Sequence, residues 1–111
     1  MGRETRPMDI LNIIRAIDSR RYEITDHADE KAQDRQLDIE DIFHSVRNGE
    51  IIKNYPKDKP NPSCLIYGKD RNEEPIHSVW AYDEKNEQAI SVTAYRPDPE
   101  IWLNWRERRK T

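Results

Sequence analysis

Pro75-Ile76-His77-Ser78-Val79-Trp80-Ala81-Tyr82 and Gln88-Ala89-Ile90-Ser91-Val92-Thr93-Ala94-Tyr95 decide the fold. Both runs are rich in β-branched and aromatic residues, and the polar segment Asp83 to Glu87 between them is hairpin-sized, so they predict two paired strands. Side chains alternate along a strand. His77, Val79 and Ala81 therefore share one face of the first run, and Ser91, Thr93 and Tyr95 share one face of the second. A one-residue slip in register would invert those faces, so which of them meets the core is open at this point.

Working back toward the amino terminus, Ser63 to Gly68 and Glu50 to Tyr55 have the same composition and predict two further strands. Lys69 to Glu74 and Pro56 to Pro62 separate them as loops. Upstream the period changes from two to about 3.6. Ile10, Ile13, Ile14 and Ile17 recur at three and four residues and predict an amphipathic helix from Met8 to about Arg20. Thr25-Asp26 supplies cap chemistry for a second helix over about Asp26 to Arg35. Asp38 caps a third helix whose buried face is Ile39, Ile42, Phe43 and Val46, and Asn48-Gly49 ends it through the left-handed freedom of glycine.

Beyond the last strand, Pro97-Asp98-Pro99 predicts a short carboxyl-terminal helix with proline in its first turn and Trp102 and Trp105 on one side. The expected fold class is α+β, with about three amino-terminal helices packed on a four-stranded antiparallel sheet. Residues 1–7 read as a flexible arm, 8–105 as a single domain, and 106–111 as a basic tail left in solvent.

The composition fits one thin domain. In 111 residues, 34% are hydrophobic and 37% charged, which leaves room for one core near the lower size limit. No apolar run approaches the length of a bilayer span, and no charged-then-apolar leader opens the chain, so a cytoplasmic location without membrane association is expected. Cys64 is the only cysteine and can form no internal disulfide; it reads as a small apolar strand residue. His27, His44 and His77 lack ligand spacing, so neither a metal nor another cofactor is expected. Charge is uneven. Residues 23 to 50 hold nine acids against three bases, whereas Arg106, Arg108, Arg109 and Lys110 cluster at the end.

Two constellations could carry chemistry. On the second helix His27, Lys31 and Arg35 stand at i, i+4 and i+8, within a sector of about 80°. Ala28 and Ala32 beside them would let the helix press closely on its neighbour. The competing reading of that stripe is ordinary surface ion pairing with Glu30 and Asp34. The second constellation is His77 with Thr93 and Tyr95, whose competing reading is a core histidine with a satisfied ring. Trp80, Trp102 and Trp105 read as core before they read as a stacking surface.

The ordered pattern Tyr22-Glu23-Ile24-Thr25-Asp26-His27-Ala28, Arg35, Asp41-Ile42 to Asn48-Gly49-Glu50-Ile51-Ile52, Pro62-Ser63-Cys64-Leu65-Ile66, Pro75-Ile76-His77, Val92-Thr93-Ala94-Tyr95-Arg96-Pro97-Asp98 and Trp102 resembles a bacterial family, domain of unknown function 4258. The resemblance implies amino-terminal helices on an antiparallel sheet, and a remote kinship with the ribonuclease-toxin fold of barnase and RelE-type toxins. Lys31 stands where many relatives are expected to carry arginine, which loses the planar two-pronged grip on phosphate.

Three functions compete. The first is metal-independent RNA cleavage by a toxin-like protein, with His27 or His77 as base and acid, Arg35 and Lys31 as charge donors, and Tyr95 as a positioning hydroxyl beside Thr93. The second is a non-catalytic module that binds a protein partner or forms a homodimer through the sheet edge or the tryptophan-bearing end. The third is a binder of a small anionic ligand at the His27, Lys31, Arg35 stripe, without chemistry, with Lys31 and Thr93 as the ligand-binding residues. The acids around His27 count against RNA, because RNA affinity comes largely from phosphate neutralisation.

Overall fold

The computed structural model describes residues 8–110; the arm expected over residues 1–7 lies outside them, as does Thr111. Three nine-residue helices form where the apolar period is helical: α1 (Ile10–Asp18), α2 (Asp26–Asp34) and α3 (Ile39–Arg47). Each begins at a side-chain cap. Asp9 accepts from the amide of Leu11, Thr25 from that of Ala28, and Asp38 from that of Glu40, which satisfies amides that have no partner inside the helix.

The strands are β1 (Tyr22–Ile24), β2 (Glu50–Tyr55), β3 (Ser63–Lys69), β4 (Pro75–Asp83) and β5 (Gln88–Tyr95), in the spatial order β1-β5-β4-β3-β2. The sheet is therefore five-stranded and mixed, not four-stranded and antiparallel. The extra strand is β1, which pairs in parallel with β5 from Tyr22↔Ala89 to Ile24↔Ser91. Three residues are too few to show a period of two, so the sequence carries no readable strand there.

The expected carboxyl-terminal helix is also absent. The amides of Ile101 and Trp102 both bond the Asp98 carbonyl, making a single turn. Asn104 and Trp105 then take φ of 50° and 64°, a left-handed pair that reverses the chain. The result is a hairpin of two short strands, β6 (Trp102–Leu103) and β7 (Glu107–Arg108). Arg106 and Arg108, expected at the start of a solvated tail, lie in this hairpin and reach back to the sheet. Arg106 pairs with Glu50 and sits 4.9 Å from the Tyr67 ring centroid.

One face of the sheet is covered by the helices. Ile13, Ile17, Ile42, Phe43 and Val46 close on Cys64, Ile66, Ile76, Trp80 and Ala94. Burial drives the Cys64 thiol up to about 12, so it stays protonated and acts as an apolar residue. Gly49 does not use left-handed freedom, since no glycine among the described residues has positive φ. It supplies room: a Cβ there would lie 2.5 Å from the Ser45 carbonyl oxygen and 2.7 Å from that of Tyr67.

Candidate functional site

The pairing His77↔Tyr95 settles the register that the sequence left open. Tyr67↔His77 extends the row to β3, so Tyr67, His77 and Tyr95 stand side by side on the face turned away from the helices. A bulge between Val79 and Trp80 lets Thr93 oppose Val79 and Ser91 oppose Trp80. The extra residue is Val92 on β5, so Thr93 and Tyr95 lie on the His77 face, while Ser91, expected to share it with them, turns with Trp80 to the helix side.

The hairpin closes over His77, which is fully buried. Trp102 meets the ring edge-on at 4.5 Å between centroids. His77 Nε2 lies 2.6 Å from the Trp105 carbonyl oxygen and Nδ1 lies 3.2 Å from the Tyr95 hydroxyl. A carbonyl can only accept, so Nε2 carries the proton, and Nδ1 is left to accept from the Tyr95 O–H. The left-handed Trp105, costly for a bulky residue, is the residue whose carbonyl fixes this tautomer. Burial lowers the His77 pKa against the opposing pull of that carbonyl, which favours the neutral, proton-accepting ring. The Tyr95 hydroxyl is pushed up by burial and by Tyr55, while Arg108 and Arg35 pull it down.

Arg35 arrives from the C-cap of α2. Ala28 and Ala32 are buried, and their small side chains let α2 lie close on β5. β1 ends opposite Ser91, so the later part of β5 has an open edge, and Arg35 reaches around it. Its Nη1 donates to the Ala94 carbonyl at 2.6 Å and to the Thr93 hydroxyl at 3.1 Å. The guanidinium carbon is 6.0 Å from the Tyr95 ring centroid. Among the described residues Nε and Nη2 make no protein hydrogen bond, so most of the planar donor fork faces outward.

The structure thus brings Arg35, Thr93, Tyr95 and His77 together. It does not bring His27 and Lys31 to them by any hydrogen bond or ion pair among the described residues. His27 is exposed on the first turn of α2 and Lys31 is half-buried one turn later. The surface ion pairing of Lys31 with Glu30 and Asp34, the competing reading of the stripe, is not formed among the described residues; on this helix surface Gln33 donates to Asp29.

Sequence reasoning missed the groups supplied by the hairpin and β2. A cleft of about 370 Å³ opens beside Tyr95, lined by Tyr55, Trp102, Lys53, Glu107 and Arg108 among others. The signal was the run of arginines after Trp105, but a tail read as solvated places them nowhere. Among the described residues no cluster of three or more His, Cys, Asp or Glu is placed to hold a metal ion. No helix among the described residues is long and apolar enough to cross a membrane.

A family model described as "Domain of unknown function (DUF4258)" matches residues 24–96, more than half of the chain. That span begins at the end of β1 and ends one residue after Tyr95, so it contains Arg35, His77, Thr93 and Tyr95 but stops short of the hairpin. No curated protein and no solved structure matches the chain.

Proposed function

The chain belongs to the DUF4258 family, and since that description assigns no activity, we propose from the geometry that it cleaves RNA without a metal ion, using Arg35, Tyr95 and His77. This reading is of the same kind as the ribonuclease-toxin resemblance. The observation that carries it is the chain of contacts from an outward-facing guanidinium to a half-buried phenol to a neutral, tautomer-fixed imidazole.

The free Arg35 N–H groups would take the non-bridging oxygens of a phosphodiester, where charge grows during the reaction. The 2'-oxygen–phosphorus bond forms as the phosphorus–5'-oxygen bond breaks. The 2'-hydroxyl proton passes to the Tyr95 oxygen while the Tyr95 proton passes to His77 Nδ1. The 5'-oxygen leaves with a proton from water. The imidazolium then has both N–H groups directed at acceptors, Tyr95 and the Trp105 carbonyl. A buried histidine can act in this way only through the phenol, so His77 positions and relays while Tyr95 touches substrate.

Charge segregation supports an anionic ligand on this side. The acids of α2 and α3 lie in the helix layer, whereas Arg35, Lys53, Arg106 and Arg108 gather around the opposite face, offset by Glu50 and Glu107. The net charge of -3 does not describe that surface.

The test is cleavage of a labelled RNA in the presence of a chelator. Tyr95→Phe and Arg35→Ala should each lose on the order of 10²-fold or more in rate. Full activity in Tyr95→Phe overturns the relay, and a loss in His27→Ala as large as that in Tyr95→Phe moves the centre to the helix stripe. A second reading, self-association through the hairpin, is favoured by Ile101 and Leu103, each 42% exposed. Size exclusion of Leu103→Ser against the parent decides it: an unchanged elution volume removes it.

A further inference from the structure

The cleft beside Tyr95 has a composition that the cleavage reading does not use, and we propose that it holds one base of a single-stranded RNA, preferring a base with an exocyclic amine over uracil. The proposal rests on the reading that this face meets RNA. Tyr55 and Trp102 give the cleft aromatic walls, and each ring is accompanied by a cation. Lys53 Nζ is 5.6 Å from the Tyr55 centroid, and the Arg108 guanidinium carbon is 5.9 Å from that of Trp102. Aromatic faces interleaved with cations are what an unpaired strand needs, since bases stack on the rings and phosphates meet the charges. A base within a duplex is already stacked and cannot enter.

Glu107 is the single acid among the cleft's lining residues, and among the described residues it makes no ion pair or side-chain hydrogen bond. A carboxylate only accepts. The exocyclic amine of cytosine or adenine offers it a donor, whereas uracil presents a carbonyl oxygen at that position and sets two acceptors against each other. An acid in a site for a polyanion costs affinity, and selection among bases is the return for it.

The experiment measures fluorescence anisotropy of labelled, uncleavable 2'-O-methyl hexamers of cytidine and of uridine at pH 7.5. The parent should bind the cytidine hexamer about tenfold more tightly. Glu107→Gln, an exposed change, should bring the ratio near one. Tyr55→Ala should weaken both hexamers about fivefold or more and keep the ratio. Equal binding of the two hexamers by the parent, or an unchanged ratio in Glu107→Gln, overturns the proposal. If that occurs while Tyr95→Phe still abolishes cleavage, only the base site falls. Selective binding without cleavage leaves the base site standing and removes the catalytic reading, and a parent that binds neither hexamer sinks both.

Discussion

The two faces of the central sheet are covered by layers of unequal thickness. On one side three helices lay Ile13, Ile17, Ile42, Phe43 and Val46 against Ile66, Ile76 and Trp80, a mainly apolar contact that also buries the small polar side chains Ser45, Ser78 and Ser91. On the other, a hairpin with two residues in each strand covers His77 and leaves Tyr55, Tyr95 and Trp102 half-buried. A thick layer excludes water over a wide area, so non-directional burial suffices to hold it. A thin layer cannot, and what it does bury is held by directional bonds: His77 to Trp105 and Tyr95, Arg106 to Glu50. The face with the thin cover is also the one where titratable groups and an open cleft coexist.

The largest expected effect separates the two layers by their tryptophans. Trp80 is fully buried and its indole N–H donates to Ser78. Trp80→Ala should cost about 3–5 kcal/mol in denaturant unfolding. Trp102→Ala should cost only about 1–2 kcal/mol, from partial burial and the lost edge-on contact with His77. Equal costs would show that the hairpin is part of the core and break the contrast.

A smaller effect is expected where the helix layer approaches most closely. A Cβ added to Gly68 would lie 1.7 Å from the Ser45 carbonyl oxygen, a backbone atom of α3 that no side-chain rotation can move. Gly68→Ala should push α3 off β3 and cost about 1–3 kcal/mol, read again by denaturant unfolding. A neutral result would mean that the helix layer is loosely seated, and the two covers would then differ in thickness but not in rigidity.

The helix layer was largely legible in the sequence, and the thin cover was not. Caps at Thr25 and Asp38 and the period of Ile10, Ile13 and Ile17 are local signals, and the pairing of the strands that carry His77 and Tyr95 follows from one hairpin turn, although their register does not. β1 depends on a partner 67 residues away in the pairing of Tyr22 with Ala89, which no local pattern can announce. The carboxyl-terminal segment misled for a different reason. Pro97-Asp98-Pro99 does start a turn, but Asn104 and Trp105 turn left-handed, and Trp105 is a residue for which propensity argues against that conformation. Its carbonyl bond to His77, 28 residues upstream, is a tertiary contact that offsets the local cost. The stripe on α2 was legible as a spacing, yet only Arg35 joins the site, because it alone reaches the open edge of β5 beyond the end of β1.

The smallest effect concerns pH and belongs wholly to the thin cover. Burial lowers the folded-state pKa of His77 below the ordinary value of 6.5. Between the lowered value and about 6.5 the unfolded chain binds the proton and the folded chain does not, so stability rises with pH across that window. Above about 6.5 both states are neutral and the contribution is constant. As pH falls below 6.5, the melting temperature should therefore drop, and the drop should be shallower in His77→Asn, whatever that variant does to stability at pH 8. Parallel pH profiles for parent and variant would show that His77 stays hydrated under the hairpin. The thin cover would then fail at burial, the property that distinguishes His77 from the exposed His27.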